Sequence, residues 1–215
     1  MKKVALVIGH NLRSQGAYSK KLNKTEYEYC KEVCNKVREL TGVDVYERKP
    51  NTYYTWEMDK VLSQINEKRY DYILEVHFNA AGKKAYGSEC LVYWRNRKAQ
   101  EVATKFLEML QEKFGSRIRT KWTPIRLTKV VEVEEAGREV KKKVEVFENW
   151  KRKGLTLVQT SKVRGGYGIC RSKGSYILIE PFFGTHEEDS MKFEDVGKVA
   201  AAYSEFINKL RKGAL

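Results

Sequence analysis

Apolar and polar positions along the chain alternate between two periodicities. Short apolar runs at residues 4–8, 43–46, 72–77, 87–94 and 176–179 have the length and composition of buried strands. Between them lie segments with apolar residues at helical spacing. Residues 25–40 set Tyr29, Val33, Val37 and Leu40 on one face, and residues 55–67, 98–114 and 196–212 continue the series. Thr25 is a suitable N-cap, with Glu26 and Glu28 in the first turn, where carboxylates suit the helix dipole. Strands alternating with helices predict an α/β fold, a twisted, mostly parallel or mixed sheet with helices on both faces.

Residues 118–165 break this alternation. The stretch TKVVEVEEAGREVKKKVEVFE has two period-2 runs that meet at Ala136 and Gly137, which reads as a β-hairpin inserted into the α/β core. With 215 residues, 41% of them apolar, the chain can bury one good core. The expected organisation is therefore one domain over 1–215, with 118–165 as an insertion. Net charge is +14, and the insertion holds thirteen Lys and Arg against six Glu, half of that excess. Such a balance suits partners carrying phosphate or carboxylate. A solvated hairpin and a substrate-facing arm account for it equally well.

The apolar run after Lys2 and Lys3 is too short for the core of a signal peptide, and no run reaches transmembrane length. The expectation is a soluble protein made in the cytoplasm. Cysteines at 30, 34, 90 and 170 form no CxxC pair and read as reduced, structural residues.

Candidate chemistry gathers at strand ends. The first strand stops at Gly9 and presents His10; YILEVHFNA ends at His77, with Glu75 on the same strand face; SYILIEPFF brings Glu180. Parallel neighbours would bring these ends together at the carboxyl edge of the sheet. A buried imidazole or carboxylate is costly unless paired, and a shared cation would offset that cost. Catalytic zinc takes three protein ligands, so His10, His77 and one carboxylate would suffice, and Glu26 can reach back toward that edge. His186, in GTHEEDS, reads as a turn or capping residue outside the site.

The motifs GHN at 9–11, Gly16-Ala17, TEYEY at 25–29, EVHFNA at 75–80, GSECLVYW at 87–94 and LIEPFF at 178–183, with Asp189 after them, occur in an order that carries a resemblance. Over residues 1–117 and 166–212 the chain resembles the zinc-dependent N-acetylmuramoyl-L-alanine amidases, including phage lysins that share their catalytic domain. The resemblance implies that His10, Glu26 and His77 bind one Zn²⁺ and that Glu180 is the catalytic carboxylate. Glu75 and Asn79 are candidates to support them, because ligating imidazoles donate their other N–H to an acceptor.

The implied substrate is peptidoglycan, cut between the lactyl group of N-acetylmuramic acid and L-alanine. Zinc would polarise the carbonyl and lower the pKa of water to about 7, while Glu180 carries the proton to the departing nitrogen. Asn11 after the first histidine, and Pro181-Phe182-Phe183 after the glutamate, look more like the phage lysins than the commoner bacterial pattern. The expectation is an endolysin held in the cytoplasm until its release to the cell wall. The insertion leaves anionic wall polymers or a membrane surface as further partners, and no specific nucleic acid is expected. The alternative reading is an anionic-polymer or nucleic-acid binding protein that uses the hairpin and has a non-catalytic metal site.

Overall fold

A computed structural model describes every residue except Lys83, Ala136 and Gly137, and of Glu135 only the backbone. The hairpin turn predicted at Ala136 and Gly137 lies outside the described residues.

Strands β1 (Val4–Ile8), β4 (Asp44–Tyr46), β5 (Tyr72–Val76), β6 (Glu89–Tyr93), β9 (Leu155–Val158) and β10 (Ser175–Glu180) form one sheet in the order β4-β1-β5-β10-β6-β9, and the short β2 (Tyr18–Ser19) and β3 (Lys24–Thr25) pair with each other. The first four in that order run parallel; β6 is antiparallel to β10, and β9 runs parallel to β6. A mostly parallel sheet of fully buried apolar runs needs cover on both faces. Helices α1 (Glu26–Thr41), α3 (Arg97–Phe114) and α6 (Val196–Lys212) cover one face, where Leu6, Ile8, Ile177 and Ile179 point. Helices α2 (Tyr54–Lys68) and α4 (Gly166–Arg171) cover the other, against Ala5, Val7, Tyr176 and Leu178. The predicted architecture is the observed one.

Sequence chemistry fixes where α1 begins. The Thr25 hydroxyl accepts from the Glu28 N–H, and the Glu28 carboxylate accepts from the Thr25 N–H at 2.8 Å, a capping box. Glu28 is thereby held on the exposed side, and Glu26 becomes the first helical residue, buried and facing the sheet. Tyr29, Val33 and Val37 are buried as predicted, whereas Leu40, in the last turn, is 60% exposed.

The inserted β-hairpin is present as predicted, a ribbon of β7 (Thr120–Glu135) and β8 (Arg138–Lys153) paired antiparallel along their whole length. One difference concerns its extent. Residues 155–158, placed within the insertion by pattern, are instead the edge strand β9 of the main sheet. Three apolar residues around Thr156, shortly after Lys151-Arg152-Lys153, are too few to stand out as a strand; Leu155, Leu157 and Val158 are nonetheless buried. Sixteen residues per strand reach roughly 50 Å at about 3.4 Å each. The root of the ribbon is seated by buried Ile125, by the Leu157 N–H donating to Thr123 Oγ1 at 3.2 Å, and by Gln159, whose amide bonds both backbone groups of Arg126.

Candidate active site

Adjacent parallel strands β1, β5 and β10 deliver His10, His77 and Glu180 to one sheet edge. His10 sits at φ 63°, in the left-handed region, directly after Gly9. Such a backbone is uncommon outside glycine and needs surroundings that hold it. Asn11, fully buried, supplies them: its Oδ1 accepts from the N–H groups of Arg13 and Ser14, and its Nδ2 donates to Glu57 Oε2 at 2.8 Å. Glu57 also accepts from Asn51 N–H and pairs with Arg13 and Arg48. The Asn11 of the GHN motif thus ties the His10 turn to α2.

Glu26 is the meeting point of the two histidines. His10 Nε2 lies 3.1 Å from its Oε2 and His77 Nδ1 2.7 Å from its Oε1. The backbone N–H groups of Phe78 and Ala17 also donate to this carboxylate. Burial by itself would raise the Glu26 pKa, but the hydrogen bonds from His10 and His77 outweigh it and hold the carboxyl far below its ordinary value. Burial likewise opposes charge on His77, and is outweighed by Glu75 and Glu26, which lift the imidazole to about 10. The two imidazoles meet edge to face with centroids 5.1 Å apart.

This donor set fits a zinc ion. One ligand atom from each of His10, Glu26 and His77 lies within 4.8 Å of the others, the single such group among the described residues. Two imidazoles and a carboxylate are the ligand types of catalytic zinc. The far side of the His77 ring agrees: Nε2 lies 3.1 Å from Glu75 Oε1, and Glu75 Oε2 accepts from the Tyr176 hydroxyl at 3.0 Å. A ligating imidazole needs such an acceptor for its other nitrogen. Space is reserved as well, because a Cβ on Gly16 would come within 2.6 Å of Glu26 Oε2 and 2.7 Å of His10 Nε2.

Glu180 ends β10 beside this group and is buried. Asn79 Nδ2 donates to its Oε2 and also, at 2.7 Å, to Glu89 Oε1. Glu89 is the residue directly opposite Glu180 in the β6–β10 pairing. Burial first, and then the Glu89 charge, push Glu180 up to about 7, while His77 and Arg164 pull the other way. The second carboxylate faces two cations of the ribbon root, with Lys121 Nζ at 2.7 Å and Arg119 Nε at 3.4 Å from Glu89 Oε2. A cleft of about 990 Å³ opens over His10, His77 and Glu180, with Lys121, Thr123 and Arg164 among its walls.

All six residues singled out from sequence are therefore brought to one place. Glu89, Lys121 and Arg164 were not singled out. Glu89 lay within the quoted GSECLVYW run, where a charged residue inside an apolar strand was the available signal. Glu57 and Arg48, both buried, carried no sequence signal. His186 caps α5 (Glu187–Met191) by accepting from the Asp189 N–H. Asp189 itself clamps the backbone N–H groups of Gly87 and Phe183 at 2.8 Å each. Cys30 and Cys34 are buried in the core and are not part of the histidines' cluster.

Comparison with known proteins places the fold. The solved structure of the catalytic domain of the CD27L endolysin, which targets Clostridia difficile, is similar with a TM-score of 0.64 and 21% identity, over 97% of this chain and 98% of that one. The CwlD amidase of Clostridioides difficile, solved with the GerS lipoprotein, gives 0.68 at 16% identity over 97% and 98%. The N-acetylmuramoyl-L-alanine amidase AmiC2 of Nostoc punctiforme gives 0.62 at 13% identity over 99% and 98%. At these identities the likeness is one of fold. No curated protein matches the sequence. The N-acetylmuramoyl-L-alanine amidase family matches from residue 4 to residue 209, nearly the whole chain, and the protein is a member of that family of peptidoglycan amidases.

Proposed function

We propose that the chain is a zinc-dependent hydrolase, holding one ion through His10, Glu26 and His77, and that it cleaves the bond between the lactyl group of N-acetylmuramic acid and L-alanine. The observation that carries this reading is the placement of a buried carboxylate with high proton affinity, Glu180, beside a three-residue zinc-type donor set in one cleft. A bound zinc supplies Lewis acidity toward the amide carbonyl and the attacking water.

The remaining work falls to the chain. Glu75 Oε1, 3.1 Å from His77 Nε2, sets a negative charge behind the ring. Glu180 accepts a proton from the attacking water and returns it to the departing amine nitrogen, a role that suits a carboxyl poised near neutrality. Asn79 holds Glu180 in place through its amide. As in the sequence reading, Asn11 and Pro181-Phe182-Phe183 favour a phage-type endolysin, stored in the cytoplasm and acting on the wall after the membrane is opened.

The test is metal analysis coupled to hydrolysis. Zinc-supplied protein is expected to carry one ion per chain and to lose wall hydrolysis on chelation and regain it with zinc. Glu180→Gln is expected to keep the ion and lose hydrolysis. Full activity in protein stripped of metal would overturn the zinc assignment.

A further inference from the structure

The inserted ribbon has two unlike faces. Side chains alternate along a strand, so one face at the root carries Thr123, Ile125 and Trp150 and is seated on the body. The opposite face looks outward. There Trp122 pairs across the strands with Lys151, Thr120 with Lys153, Arg126 with Phe147 and Val130 with Lys143. Trp122 and Phe147 are 62% and 70% exposed, and Lys151 Nζ stands 5.4 Å from the Trp122 ring centroid.

Large aromatic rings left in water beside cations need an explanation. Lys143, Lys151 and Lys153 have no carboxylate partner among the described residues, while Arg126 pairs loosely with Glu145 at 3.5 Å. These cations follow one another along the ribbon. From Lys153 to Lys143 is ten residues of β8, a span of roughly 34 Å at about 3.4 Å per residue. Among the described residues, neither of the two main clefts is lined by any of them.

We propose that this outward face of the ribbon root is a docking track for a linear phosphodiester polymer of the bacterial wall, with phosphates on the lysines and Arg126 and backbone or sugar units on Trp122 and Phe147. The proposal rests on the reading of the protein as a wall enzyme and extends it to a second contact outside the cleft. Two observations choose this occupant. The track meets the cleft at its rim, because Pro124 on this face also lines the cleft wall while Lys121 and Thr123 line it from the opposite face of the same strand. An occupant of the track therefore lies beside the material that enters the cleft.

Charge distribution argues against a flat anionic bilayer. Toward the tip the same face carries Glu132, Glu134 and Glu139, with Lys141 alone opposing them. A planar surface would have to meet these carboxylates, whereas a polymer chain can follow the basic root alone. Cation and aromatic contacts of this kind weaken with salt.

The experiment measures binding to purified Gram-positive walls by co-sedimentation, in the Glu180→Gln background so that the walls stay intact. Walls with their phosphodiester polymers, and walls stripped of them by hydrofluoric acid, are compared. The expected result is salt-sensitive binding to native walls that falls about tenfold on stripped walls, and equally in a Trp122→Ala, Lys151→Glu, Lys153→Glu variant. That triple variant, with Glu180 intact, is expected to cleave a soluble muramoyl peptide at the unmodified rate, which also shows that it folds. Undiminished binding to stripped walls, undiminished binding by the variant, or tighter binding to anionic vesicles or duplex DNA than to native walls overturns the proposal. Failure of the amidase reading would appear separately, as no cleavage of the soluble muramoyl peptide.

Discussion

One amide group joins the two carboxylates of the hydrolytic half of the site: Asn79 Nδ2 donates both to Glu180 and to Glu89. Two buried acids facing each other across paired strands cannot both be charged cheaply. The ribbon root treats them unequally. Lys121 and Arg119 approach Glu89 and not Glu180, and burial together with the Glu89 charge pushes Glu180 up to about 7.

It follows that Glu89→Gln removes a like charge from beside Glu180 and eases its ionisation. The acid limb of the rate profile, where Glu180 must be ionised to act as a base, is expected to move to lower pH. Profiles of kcat/KM for wild type and variant check this. An unmoved limb would show that Glu89 does not govern Glu180.

The metal ligands predict how stability depends on pH before metal is added. Glu26 is held far below its unfolded value of 4.5, so its contribution is present above about that pH and is lost as pH falls. His77 is raised from 6.5 to about 10, so its contribution is complete below 6.5 and is lost as pH rises toward 10. Metal-stripped protein is therefore expected to have its highest Tm between these limits. Thermal unfolding across pH measures it, and Glu26→Gln is expected to flatten both limbs and to abolish the rise in Tm on adding zinc.

Gly16 is predicted to be irreplaceable. Its φ of 75° and the 2.6 Å approach of a built Cβ to Glu26 Oε2 mean that Gly16→Ala must displace either the carboxylate or the loop. The backbone strain alone costs about 1 kcal/mol. The expected outcome is a folded protein with little bound zinc, read by metal analysis beside circular dichroism.

Much of this site could be read from sequence because three of its groups stand where apolar runs end. His10, His77 and Glu180 follow parallel strands, whose carboxyl ends must share an edge. Glu89 escaped the same reasoning because β6 runs the other way, so that its first residue, not its last, lies at that edge. The strand β9 was hidden for another reason: three apolar residues around a threonine, close to a lysine cluster, are too short a run to give a period to detect. Burial of Glu57 and Arg48 depends on packing between α2 and two loops, which no local pattern encodes.

Glu57 gives a prediction about the first histidine. Its carboxylate is paired with buried Arg48 and holds Asn11, which shapes the left-handed turn at His10. Glu57→Ala leaves the Arg48 charge without its partner and is expected to destabilise the fold by about 3–5 kcal/mol. Denaturant unfolding reads the loss. A change within a few tenths of a kcal/mol would mean that the cluster is solvated.

The most direct test of the central claim is mass spectrometry of the products formed from intact peptidoglycan by zinc-supplied protein, with Glu180→Ala alongside. The account predicts peptides with a free L-alanine amino terminus, released from glycan strands that remain whole, and none from the variant. Glycan and peptide still joined after incubation, or cleavage that survives the loss of Glu180, would contradict it.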